Sequence, residues 1–252
     1  MLSASPKAAD ACQARLPAMS WWQRLFRGTR PLGPAQSERV KHYRALPEPD
    51  LGHSFRATRF VVVDVESSGL RPHRDRLLAI GALPVEENLV RLDAAFEVVL
   101  RQTAPSAHGN ILIHGIDGTT QISGRDPAEA LVEFLDYCGK GVLVGFHANF
   151  DRVMITRATK DVLGTDLENR WLDLAVLAPE LLPQHSLGAS TLDNWSQRLG
   201  LDNPARHNAL ADALVTAQLL QVTLVAAHER GLKCSADLMD IERAGRWLEA
   251  HR

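Results

Sequence analysis

The sequence predicts a mixed α/β fold, one mixed sheet flanked by helices. Two observations carry this. Two apolar runs, Phe60–Val63 and Val142–Phe146, are short and rich in β-branched residues, as in strands buried on both faces. Three strand patterns come first, then helix and strand alternate, then helices follow. In chain order, Phe60–Val63 is the first strand. Arg76–Val85 and Leu89–Leu100 read as two more, joined by the polar turn Glu86-Glu87-Asn88, and the three make an antiparallel meander. Asp126-Pro127-Ala128-Glu129 starts a helix, with Asp as N-cap and Pro in the first position. That helix runs to about Cys138 and turns Leu131, Phe134 and Leu135 inward. Val142–Phe146 is the next strand, and a helix over Phe150–Thr159 follows. Further helices are expected at Leu172–Leu182, Leu192–Leu199, Asn208–Arg230 and Ala236–Leu248.

Residues 1–55 read as an N-terminal extension, basic and Pro-containing, with no sustained periodicity; residues 56–252 read as the folded domain. Within the extension, Ser20 can cap a short helix on which Trp21, Trp22, Leu25 and Phe26 share one face. Packing on the protein's own body is the plain expectation. The sharper readings for residues 20–27 are a helix docking a protein partner and an interfacial anchor.

Composition excludes several classes. The chain of 252 residues is 45% apolar and 23% charged, ordinary for a globular protein. Cys12, Cys138 and Cys234 are odd in number and far apart, which argues against a disulfide framework or a thiolate zinc site. A reducing, cytoplasmic location is expected. No apolar run approaches the roughly 18 residues of a membrane span, so no transmembrane segment is expected. The first 20 residues lack the apolar region of a secretory signal. The net charge of −2 divides unevenly: residues 1–44 hold eight Lys/Arg and two Asp/Glu (+6), and the rest hold 20 and 28 (−8). An acidic body is not the product of broad basic patches for nucleic acid.

Five residues point to chemistry. Asp64 and Glu66 lie two apart at a strand end, so period-2 geometry puts both on one face. Such a pair is costly unless bridged, although a bare DxE is more often a surface strand end. Ser67-Ser68-Gly69-Leu70 follows, small enough for backbone amides to approach a phosphate closely. Asp151 sits in the first turn of a helix, where capping is an equal alternative. His147 and Asn149 flank it as candidate substrate contacts. Asn208 is a good N-cap, which puts His207 on the preceding loop and Asp212 in the first or second helical turn, so that the two can converge. Four carboxylates gathered with a histidine suit divalent cations and a proton acceptor, the equipment for hydrolysing a phosphodiester.

The order of these motifs resembles that of the DEDD-type 3′→5′ exonucleases with a catalytic histidine, the DnaQ-like family. Val63–Leu70 is similar to the first motif, with Ser67-Ser68 where Thr-Thr is commoner. His114-Gly115-Ile116 looks like the family's HGI segment, Phe146–Asp151 like the second motif and His207–Asp212 like the third. In the second motif Asn149 stands one residue nearer the Asp than in many members. The resemblance spans about residues 58–230 and implies a ribonuclease H-like fold with two Mg²⁺ or Mn²⁺ ions. It implies Asp64, Glu66 and Asp212 around one ion, Asp64 touching a second with Asp151 helping, and His207 as the base. Leu70 would wedge beside the terminal base, and Ser67, Ser68 and Gly69 would hold the 3′ end. The expected substrate is single-stranded DNA, and the chain's short C-terminal stretch suggests an epsilon-like accessory exonuclease. The alternatives are an RNA-trimming exoribonuclease and, from another class, a partner-docking module.

Overall fold

The computed structural model of the chain describes residues 31–201 and 205–251. Among them a six-stranded mixed sheet lies between two layers of helices, as the strand and helix signals predict. β1 (Phe60–Ser67) is central. On one side it pairs antiparallel with β2 (Leu77–Glu86), whose outer edge carries β3 (Leu89–Val90) and then β4 (Phe96–Val99). On the other side β5 (Val142–Gly145) and β6 (Trp171–Asp173) add in parallel.

Alternation along β1 divides the core. Val61, Val63 and Val65 face a layer holding α1 (Pro34–Ala45), α4 (Pro127–Cys138) and α5 (Asn149–Leu163). Phe60 and Val62 face the layer of α6 (Leu174–Leu181), α8 (Leu192–Leu199), α9 (Ala209–Glu229) and α10 (Ser235–Ala250). Asp64 and Glu66 continue this second alternation, so they point toward α9. Of the first layer's helices, α4 starts as its sequence signal indicates: the Asp126 carboxylate accepts from the Ala128 N–H.

Four expectations need correction. The strand read over Leu89–Leu100 is interrupted by a 3₁₀ turn at Leu92–Ala94, because Asp93, Ala94 and Ala95 are poor strand formers and Arg91 pairs with Asp93 at 2.7 Å. The helix read from Leu172 begins at Leu174; Leu172 belongs to β6, and Asp173 is the N-cap, accepting from Ala175 N–H at 3.0 Å. Three short helices, α2 (His108–His114), α3 (Gly118–Ser123) and α7 (Pro183–Ser186), stand where no element was expected, as does α1 in the extension. The three are short, and none carries a long apolar period. Finally, α9 is 21 residues long with a mean hydropathy of 1.6, enough by length and composition to cross a membrane. Here it packs against β1 and β2 with Ala217, Leu219 and Leu220 wholly buried, and so serves as a core helix. Its polar punctuation, Asp212 among it, hides the run from a simple scan.

The part of the N-terminal extension that is described is not detached. α1 lays Val40 and Tyr43 onto α4, and the Tyr43 hydroxyl donates to Asn169 at 2.8 Å and accepts from the Glu168 N–H at 3.0 Å. Lys140 sits 4.3 Å over the Tyr43 ring. Ser20–Arg27 lies outside the described residues. α7 (Pro183–Ser186) completes the chain order between α6 and α8.

Candidate active site

The site forms where β1 ends and α9 begins. Asp64 pairs with Gly81 across the sheet. A Cβ at Gly81 would lie 2.3 Å from the backbone of Ala209 and Leu210, so only glycine lets the start of α9 rest directly on β2. The Asn208 side chain caps this helix by accepting from the Ala211 N–H at 2.9 Å. Asp212 then falls in the first turn and points back at the strand. Carboxylate oxygens of Asp64, Glu66 and Asp212 all lie within 4.8 Å of one another.

Asp151 reaches the same region from the other layer. β1 and β5 pair only as far as Val62 and Val144. Beyond that point the strands diverge, and the Val65 N–H donates to Asp151 Oδ1 at 3.1 Å. Asp151 is only 4% exposed. Gly145 allows the tight turn into α5, since a Cβ there would meet Ala148 at 3.1 Å.

His207 occupies the loop before α9 with a left-handed backbone, φ 61°. Its N–H donates to Asp212 Oδ2 at 3.1 Å, which fixes the loop to the helix, and its ring is exposed. The ring borders a cleft of about 510 Å³, whose other walls include Glu97, Leu112, His114 and Ile116. His114 orders that wall. Its Nδ1 accepts from the Ile116 N–H at 3.0 Å, and Nε2 lies 3.2 Å from the Ser106 hydroxyl. Burial pushes the His114 ring toward its neutral form, which suits a structural brace.

Electrostatics set this cluster apart. Burial, then the Asp151, Asp212 and Glu66 charges, push the Asp64 carboxyl well above the usual carboxylate range. Burial and Asp212 push Glu66 up to about 8, and Arg206 works against them. Burial pushes Asp151 up to about 8, despite the two backbone N–H groups that favour its charged form. These carboxyls cannot all be ionised near neutrality unless cations are supplied. Oxygens alone, close together and short of positive charge, are the donor set that hard divalent cations take.

The other expected contacts fall in two groups. Ser67 donates to Gly69 O at 2.6 Å, and Ser68 Oγ accepts from the Arg76 N–H at 2.9 Å. Both hydroxyls brace their own loop, and a Cβ at Gly69 would come within 2.5 Å of the Asp75 carboxylate, which would have to shift. Leu70 stands outside the loop, 90% exposed. His147 and Asn149 bond to residues other than the four site carboxylates. The His147 N–H donates to Asp173 at 2.9 Å, its Nε2 lies 3.3 Å from Ser190 O, and Asn149 accepts from Arg152 at 3.0 Å.

Two residues were not legible in the sequence. Arg206 donates to both Asp212 oxygens at 3.2 Å and pairs with Asp193 at 2.6 Å. Asp173 underpins the second-motif turn and pairs with Arg246 at 3.0 Å. Both act through partners distant in sequence, so no local spacing announces them.

Known proteins share sequence and fold with this chain. DNA polymerase III PolC-type of Thermotoga petrophila is 32% identical over 166 residues, covering 66% of this chain but only 12% of that protein. The epsilon subunit of DNA polymerase III from Aquifex aeolicus is 26% identical and covers 64% of this chain and 77% of its own length. E. coli exonuclease I in complex with a dT13 oligonucleotide shares the fold, with a TM-score of 0.59 at 17% identity over 68% of this chain and 42% of that one. Residues 61–220 match the family model RNase_T, described as Exonuclease, and the chain belongs to that exonuclease family.

Proposed function

We propose that the protein is a metal-dependent 3′→5′ exonuclease that hydrolyses the terminal phosphodiester of single-stranded DNA and releases 5′-mononucleotides. The observation that carries this reading is the gathering of Asp64, Glu66 and Asp212 within 4.8 Å, short of positive charge, beside an exposed histidine. The DNA-polymerase relatives support DNA over RNA as the polymer.

In this reading Asp64, Glu66 and Asp212 would hold a divalent cation, and Asp64 with Asp151 a second, Mg²⁺ or Mn²⁺. Cations held there supply Lewis acidity at the scissile phosphate and offset its developing charge. His207 takes the proton of the attacking water at a ring nitrogen; the ring is solvent-facing, and its backbone is fixed to Asp212. The Ser67–Gly69 backbone receives the 3′ end, and Leu70 covers the terminal base. The intact carboxylate set argues for an enzyme over a pure docking module, and an accessory role beside a polymerase is the narrower inference.

The test uses 5′-labelled DNA and RNA oligomers of one sequence with Mg²⁺, Mn²⁺ or EDTA. A metal-dependent ladder shortening from the 3′ end, faster on DNA, is expected. Faster cleavage of RNA would replace the substrate. Cleavage in EDTA, or internal cuts, would overturn the reading.

A further inference from the structure

We infer that the loop between β1 and β2 is a phosphate-binding arm that grips the backbone of the strand being degraded, upstream of the scissile bond. This rests on the exonuclease reading above and names the contact through which that site would hold a polymer.

The body of the protein is acidic, yet residues 71–76 (Arg71-Pro72-His73-Arg74-Asp75-Arg76) hold three arginines and a histidine against one aspartate. The loop leaves the strand that carries Asp64 and Glu66 and begins with the 3′-end segment Ser67–Gly69. Arg71, His73 and Arg74 are exposed, and among the described residues no ion pair engages them. Arg76 has other work: its guanidinium donates to Ala104 O at 2.5 Å.

The arm is built rather than floppy. Asp75 Oδ2 accepts from the Arg71 N–H at 2.7 Å, and the Arg74 and Asp75 N–H groups donate to Arg71 O at 2.8 and 2.7 Å. The Ser68 N–H donates to Arg76 O at 3.0 Å, closing the loop at its base. From outside, Arg157 of α5 donates to Asp75 O and Asn110 of α2 donates to Ser68 O. Six internal and external ties therefore hold a turn whose free ends are cationic. A tied backbone has less ordering entropy to lose on binding than a mobile loop.

Position supplies the partner. Leu70, 90% exposed, directly precedes Arg71. An apolar side chain so bare, at the rim of a site for a nucleic-acid end, suits cover by a base. The next four residues then lie within about 14 Å of that base along the chain, close enough to meet phosphates upstream of the one at the carboxylates. Guanidinium groups and an imidazole pair with phosphate oxygens without reading sequence.

The experiment compares the wild-type protein with Arg71→Ala/Arg74→Ala on a single-stranded DNA 20-mer, a duplex with a recessed 3′ end, and thymidine 5′-monophosphate p-nitrophenyl ester. The ester is too small to reach beyond Leu70. Its hydrolysis by the wild-type protein tests the exonuclease reading by itself, so no ester hydrolysis would sink that reading and the arm with it. With the ester cleaved, the proposal expects KM for the 20-mer to rise about tenfold at 0.1 M salt in the double variant. It also expects the slope of log affinity against log salt to flatten by about 1.4, two contacts of about 0.7 each on a single strand. An unchanged KM and slope would overturn the proposal. So would a loss on the ester equal to that on the 20-mer, which would make the effect a disturbance of the carboxylates. A loss confined to the duplex would contradict a grip on the degraded strand.

Discussion

The buried carboxylate of Asp173 and the cluster of half-buried Asp64 and Glu66 with buried Asp212 have opposite surroundings. Asp173 is 4% exposed, and the protein satisfies it: N–H groups of His147 and Ala175 and the Arg246 guanidinium all lie within 3.0 Å. Asp64, Glu66 and Asp212 lie within 4.8 Å of one another, with Arg206 as the cation paired to Asp212. One carboxylate with three donors is a brace for a turn. Three carboxylates whose donors, the Arg206 guanidinium and the His207 N–H among them, go to Asp212 are a ligand set for cations from outside. Burial alone does not separate the two roles; the donor count does.

Substitutions should pull the two groups in opposite directions. Asp64→Asn should cost about 10²–10³-fold in nuclease rate, the scale of losing one electrostatic element at a reacting phosphate. The same change relieves repulsion, so the metal-free protein should melt about 2–4 °C higher, equivalent to about 1 kcal/mol. Activity assays and calorimetry in EDTA check both signs. Asp173→Ala should do the reverse. Leaving the His147 and Ala175 N–H groups without their acceptor costs about 1–3 kcal/mol, or roughly 2–12 °C for a protein of this size, while metal-dependent cleavage persists in the folded fraction at low temperature. If Asp173→Ala melts like the wild type, the brace is misassigned.

Gly81→Ala tests the geometry between β2 and α9. The new methyl must displace helix backbone, an overpacking cost of about 1–3 kcal/mol. Because the displaced turn carries Asp212, the Mn²⁺ concentration for half-maximal activity should rise as well. A stability loss with no change in metal dependence would separate Gly81 from the site.

The smallest effect is on pH. The folded-state value for Glu66, about 8, lies above its ordinary 4.5, so the folded metal-free protein binds more protons than the unfolded chain between these values. The stability from this group is therefore complete below about pH 4.5 and is lost as pH rises through 8. Bound cations remove the reason for proton uptake. The gain in Tm on adding Mg²⁺ should thus widen from pH 6 to pH 8.5, and a gain that shrinks with pH would contradict the account.

Much of the site could be read from the chain because its residues stand at element ends that carry their own signals. The β-branched run before Asp64 and the Asn208 cap before Asp212 place both carboxylates without knowledge of their partners. What escaped reading depends on distant contacts. Only Val40 and Tyr43 of α1 are buried, so its sequence shows no apolar period, and it holds through Asn169, Glu168 and Lys140. Arg206 reaches Asp193, thirteen residues earlier, and Asp173 reaches Arg246, seventy-three residues later. The ends of β3 and β4 were blurred because alternation alone does not locate a 3₁₀ break.

The most direct test of the central claim is calorimetric titration of the protein with Mn²⁺ at pH 8, beside Asp64→Asn and Asp173→Asn. The account predicts binding with release of protons in the wild type, loss of that binding in Asp64→Asn, and its survival in Asp173→Asn. Equal binding by wild type and Asp64→Asn would contradict it.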